Sequence, residues 1–157
     1  MPQIITTSRL NDALKEIDKI KSKSKEERVI VLSQDDEFNR KVLESRKIDI
    51  FLINEELENK DYSKQRNSGL NEVLAELASK NNIKIGIGIE KILKKDKGEQ
   101  AISLARLAQN ILLCKKAKTE LIIFSEEKLK DRRAIVSLLL TLGASTNLAN
   151  KAVQESF

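Results

Sequence analysis

Five short apolar runs, separated by longer amphipathic segments, constrain this chain more than any other feature. The runs are Gln3–Thr7, Arg28–Ser33, Ile48–Ile53, Ile83–Ile87 and Leu121–Phe124. Each is of strand length and rich in β-branched residues. Between them, apolar residues recur at helical spacing. Leu10, Ala13, Leu14, Ile17 and Ile20 follow Ser8, a capping residue type. Phe38, Val42 and Leu43 lie inward on a helix over Asp35–Ser45, and Leu70, Val73, Leu74 and Leu77 on one over Gly69–Lys80. The spacing predicts a long helix over Gly98–Lys118. Asp131 is placed to cap a further helix, Gly143 to end it, and Ser145 or Thr146 to open a last one reaching Glu155. Residues 54–68 are polar and read as the longest loop, and Ile89–Lys97 as a basic connector.

Strands that alternate with helices need crossover connections, so the sheet is expected to be mostly parallel. The fold class is therefore α/β, as an open sheet covered on both faces or as a shortened, incomplete barrel of the TIM type. The 157 residues suit a single domain with its own core, and no Pro- or Gly-rich linker divides them. Two halves differ in charge. Residues 1–80 hold 15 Lys and Arg against 16 Asp and Glu, and residues 81–157 hold 14 against 8. The whole excess of positive charge thus falls in the second half, which points to a polyanionic partner there.

Histidine is absent. A Ser-His-Asp triad, a Cys-His pair and His-ligated zinc are therefore excluded. The lone cysteine, Cys114, lies among Ile111, Leu112 and Leu113 and reads as a buried core thiol. Gly86 and Gly88 follow a strand, but Lys91 stands where a third glycine of a dinucleotide-binding turn would be, so close backbone packing is the simpler reading. Asp35, Asp36 and Glu37 read as first-turn acids of a helix rather than metal ligands. Asp49 reads as the first exposed position of its strand. No apolar run approaches the roughly 20 residues that span a bilayer, and the N-terminus has no secretory pattern, so a cytoplasmic protein without membrane contact is expected.

The basic residues form three groups. Lys91, Lys94, Lys95 and Lys97 lie in the connector after the fourth strand. Arg106, Lys115, Lys116 and Lys118 lie on or just after the long helix, with Asn110 one turn from Arg106. Lys128, Lys130, Arg132 and Arg133 follow the fifth strand. In a parallel sheet the loops after strands share one end, so the first and third groups are expected to converge there. With four Phe, one Tyr and no Trp, base stacking is a poor mode, and contact with the backbone and shape of structured RNA is expected instead.

Several segments resemble archaeal ribonuclease P protein component 3, the family of the thirty-kilodalton ribonuclease P subunit. They are LESRKIDIFLI at Leu43–Ile53, LNEVLAELASKNNIKIGIGIEKIL at Leu70–Leu93, ARLAQNILLCKKAKTELIIFS at Ala105–Ser125, and the closing helix pair DRRAIVSLLLTLGAS and ANKAVQES. The chain departs from the family in a shortened N-terminal portion and in Ser125-Glu126-Glu127, where Ser-Gly-Ala is often found. The resemblance implies a barrel related to the PHP phosphoesterases. Those enzymes hold metals through histidines, so no catalytic or metal-binding residue is expected in this chain. It further implies a subunit that assists removal of 5′ leaders from precursor tRNA by binding the catalytic RNA. Mg²⁺ would sit on the RNA and no cofactor on this chain. Ribonuclease P RNA, protein component 2, other ribonuclease P proteins and, indirectly, precursor tRNA would be its partners. The alternatives are a non-catalytic protein-interaction module and a metabolic barrel enzyme working without histidine.

Overall fold

The computed structural model describes residues 3–57, 60–125 and 131–154. Its elements run β1 (Gln3–Ile5), α1 (Leu10–Lys23), β2 (Val29–Leu32), α2 (Asp36–Glu44), β3 (Ile50–Leu52), α3 (Glu72–Lys80), β4 (Lys84–Gly88), α4 (Ile89–Leu93), α5 (Lys97–Ala117), β5 (Leu121–Phe124), α6 (Arg132–Thr141) and α7 (Thr146–Gln154). The five strands form one sheet in sequential order, every neighbouring pair parallel. Among the described residues β1 and β5 are its edges, so the sheet is open.

Sequential order decides which face is covered. Each crossover moves one strand in the same direction, and crossovers of one hand then put every helix on the same side. The packing bears this out. One large cluster joins the helices to Val29, Val31, Phe51, Ile85, Ile87 and Ile123, the alternate positions on one face. The opposite face carries a small cluster of strand residues alone: Ile30, Ile50, Leu52 and Ile122, flanked by Leu32 and Phe124. The continuous apolar runs suggested helices on both faces. The second face is instead lined by the side chains of its own strands.

Local chemistry sets the helix ends. Asp35, Asn71, Asp96 and Asp131 each accept a hydrogen bond from a first-turn amide, at 2.9, 2.9, 3.0 and 2.9 Å. The third helix therefore starts at Glu72 rather than Gly69, whose φ of +78° is not helical. The first begins at Leu10 with Arg9 at its cap and no side-chain bond there, so Ser8 does not cap it. Ser145 caps α7 through the Leu148 amide, and Gly143 ends α6 at φ +104°. The expected end of α7 at Glu155 lies outside the described residues. Residues 89–93 form a short helix within the expected connector. Asp49 is structural: it accepts from Lys21 at 2.9 Å and from the Val29 amide at 2.8 Å. Cys114 is fully buried, and burial pushes its thiol up to about 12. Among the described residues no helix is long and apolar enough to cross a membrane.

Candidate nucleic-acid interface

The carboxyl ends of all five strands surround one cavity of about 400 Å³ on the uncovered face. Ile4, Leu32, Leu52 and Phe124 give it an apolar floor, and Glu55, Glu56, Glu90, Lys91 and Lys94 a charged rim. Gly86 and Gly88 lie beside it for different reasons. A Cβ at Gly86 would stand 2.9 Å from Ile50 Cγ2, so that glycine lets β3 side chains pass close to the β4 backbone. A Cβ at Gly88 would meet nothing nearer than 3.9 Å. Glu90 accepts a hydrogen bond from the Ser125 hydroxyl. Glu55 is largely buried, and that burial raises its carboxyl to about 7 against the pull of Lys95, Arg106 and Lys91.

The first basic group divides around this cavity. Lys94 is exposed at the rim, Lys91 pairs with Glu56 at 3.1 Å, and Lys95 points inward. The Lys95 ammonium donates to the Glu55 carbonyl at 2.6 Å and to Ser103 Oγ at 2.8 Å. Of the third group, Arg132 and Arg133 are exposed in the first turn of α6, beyond the carboxyl end of β5. Lys128 and Lys130 lie outside the described residues. Arg132 and Arg133 stand at the positive end of a helix, in a first turn that holds no acid. The helix dipole disfavours cations there by roughly 0.3–1 kcal/mol, which the Asp131 carboxylate at the cap offsets in part.

The long-helix group does something else. Arg106 Nε donates to Asp61 at 3.0 Å, and Arg66 binds the other Asp61 oxygen at 3.0 Å. Burial alone would raise the Asp61 carboxyl. The Asn67 amide and the two guanidiniums outweigh it and hold the group below its ordinary value. One turn on, Gln109 accepts from the Arg66 amide at 3.0 Å and donates to the Arg66 carbonyl at 2.9 Å. Asn110, fully buried, accepts from the Ser68 hydroxyl at 2.6 Å. Arg106, Gln109 and Asn110 thus fasten the polar 60–68 loop to α5. Arg106 and Asn110, expected from the sequence to meet RNA, hold the loop together with Gln109 and Asp61, which the sequence did not single out. The signal was present: three polar residues at i, i+3 and i+4 beside a buried stripe, and a long polar loop in need of partners.

Lys115 and Lys116 belong to the other end of the molecule. The α5 helix of 21 residues is roughly 30 Å long, so its last turn is far from the cavity rim. Lys115 donates to the Gly143 carbonyl at 2.9 Å, and Lys116 pairs with Glu72, which raises the lysine above its ordinary value. The three groups therefore do not form one patch. The first group, with Arg132 and Arg133, lies at the carboxyl end of the sheet, and the long-helix group splits between a loop anchor and the opposite end.

No family model matches the chain. Ribonuclease P protein component 3 of Methanococcus vannielii is 33% identical over 118 residues, which cover 74% of this chain and 48% of that protein. The chain thus spans about half the length of this curated relative. A chain in a solved structure titled "cryo-EM structure of archaeal Ribonuclease P with mature tRNA" superposes with a TM-score of 0.77 at 25% identity, over 96% of this chain and 63% of that one. The two findings agree with each other and with the resemblance read from the segments between Leu43 and Ser156, and they identify this chain as a relative of ribonuclease P protein component 3.

Proposed function

We propose that this chain is a protein subunit of a cytoplasmic ribonuclease P, assisting removal of 5′ leaders from precursor tRNA by binding and stabilising the catalytic RNA. Its kinship with ribonuclease P protein component 3 carries this reading. The absence of histidine fits a chain that leaves the chemistry to the RNA and its Mg²⁺ ions. Protein component 2, other ribonuclease P proteins and precursor tRNA are the partners this role entails.

The side chains offered to RNA at the carboxyl end are Lys94, Arg132 and Arg133, with Lys91, Lys128 and Lys130 beside them in sequence. Arg132 and Arg133 are the strongest of these, because they occupy the helix end at which a cation is least favoured. Arg106, Asn110 and Lys95 support the interface by fixing the loop and the α4–α5 junction from within. The test is binding of the full chain to ribonuclease P RNA over a range of salt concentrations. Charge reversal at Arg132 and Arg133 is expected to weaken binding at least tenfold and to reduce the salt slope by about two, one for each phosphate no longer neutralised. Unchanged affinity and slope would remove these two arginines from the interface.

A further inference from the structure

The one-sided winding of this fold sorts charge between its two ends. The helices α1, α2, α3 and α5 all return the chain from the carboxyl end of the sheet to its amino end, so their dipoles point the same way. Each carries an acid in its first turn: Asp12, then Asp36 and Glu37, then Glu72, then Glu99. Each carries lysine in its last turn: Lys21 and Lys23, then Lys41, then Lys80, then Lys115 and Lys116. On one helix this pattern is ordinary dipole matching. On helices that all point one way the contributions add, and cations collect where the helices end and the strands begin.

The turns at that end add more cations. Arg46 precedes β3 and Lys118 precedes β5, both at φ 57°. In that conformation each residue closes a helix and turns the chain into the sheet. Arg46, Lys80 and Lys118 lie on three successive helix-to-strand connections. Neighbouring strands are about 4.8 Å apart and the helices above them roughly 10 Å, so the three side chains reach one continuous surface. All three are exposed, as are Lys23 and Lys25, and none of the five forms an ion pair among the described residues. Most acids there are already matched. Asp49 is held by Lys21, and Glu120 by Lys84 at 3.1 Å and Lys151 at 3.4 Å, which keep the Glu120 carboxyl below its ordinary value. Glu26 and Glu27, in the α1–β2 turn, and Glu76, one turn before Lys80 and close enough to act on Lys116, are the exceptions. The helix dipoles place only about half an elementary negative charge at each helix end, so the surface stays positive.

We propose that this amino end of the sheet, centred on Arg46, Lys80 and Lys118, is a second phosphate-contacting surface, opposite the one that holds Arg132 and Arg133. This rests on the reading of the chain as an RNA-binding subunit. With polyanion surfaces roughly 30 Å apart along α5, one chain bridges two helical segments of a folded RNA. The contact is to the backbone, since no exposed aromatic residue among the described residues at this end offers a base a stacking partner.

The test neutralises the surface without straining the turns. Asn tolerates positive φ better than most residues, so Arg46→Asn and Lys118→Asn remove charge while suiting the left-handed conformation. Lys80→Gln keeps a good helix former. The triple variant, checked for native circular dichroism, is compared with Arg132→Gln/Arg133→Gln and with the native full chain. The probe is ribonuclease P RNA, titrated at several salt concentrations. The triple variant is expected to lose at least tenfold in affinity and about two to three units of salt slope, with the arginine pair intact. A triple variant that binds with native affinity and slope overturns the second surface while leaving the RNA-binding reading in place. A native chain whose binding is weak and insensitive to salt overturns that reading itself, so the two failures are distinct.

Discussion

Arg106 and Asn110 illustrate how a polar side chain on a helix is assigned. Both are spaced as a surface pair would be, and both are held from within by the 60–68 loop. Asn110 is buried with Ser68 as its partner, so Asn110→Ala leaves the Ser68 hydroxyl without that acceptor. A loss of about 1–3 kcal/mol in urea denaturation is expected. Glu55 shows a second residue-scale effect. Its carboxyl is raised to about 7 in the folded chain from an ordinary 4.5, so the folded state favours the protonated form. The stabilisation is complete below about pH 4.5 and is lost as pH rises through about 7, on the order of 3 kcal/mol. Glu55→Gln cannot ionise. It is expected to melt at a higher temperature than the native chain at pH 8 and to match it closely at pH 5. Equal melting temperatures of the two proteins at pH 8 would contradict the burial of that carboxylate. The polar spacing on α5 was legible in the sequence, but the environment of Glu55 was not, because it depends on where a long polar loop settles, and the loop has no periodicity to predict it.

At the scale of elements the sequence was more informative, because periodicity and capping chemistry act locally. Asp131 and Gly143 bound α6 as their residue types dictate, and the acids of 35–37 open α2. The errors lay where two signals competed. Leu70 extends the apolar stripe of α3 backwards, but Asn71 caps the helix and Gly69 turns away from it. The two glycines of β4 also separate cleanly. Gly86→Ala forces a methyl against Ile50 and Leu52 in the uncovered face and is expected to cost about 1–3 kcal/mol. Gly88→Ala meets only the Lys91 side chain and is expected to change stability by no more than about 0.5 kcal/mol. Thermal or chemical denaturation of both variants checks the pair, and equal losses would contradict the packing around β4.

For the whole molecule, strand-helix alternation implied a parallel sheet but left its winding open. Sequential strand order is a non-local property, and periodicity cannot distinguish a strand covered by helices on both faces from one that lines a concave face with its neighbours. The winding has two consequences. It gathers the ends of all five strands around one cavity, and it aligns the helices so that dipole-matching charges segregate by end. The excess of positive charge after residue 80 was legible in the sequence, but its division between two ends of the molecule was not, because α5 carries the chain from one end to the other.

The role proposed for this chain is that of a ribonuclease P subunit. Its most direct test is cleavage of precursor tRNA by ribonuclease P RNA at low Mg²⁺, with and without this chain and protein component 2. The two proteins together are expected to lower the Mg²⁺ requirement for 5′ leader removal, and charge reversal at Arg132 and Arg133 to weaken the effect. Cleavage that is the same with and without this chain at every Mg²⁺ concentration would contradict this role.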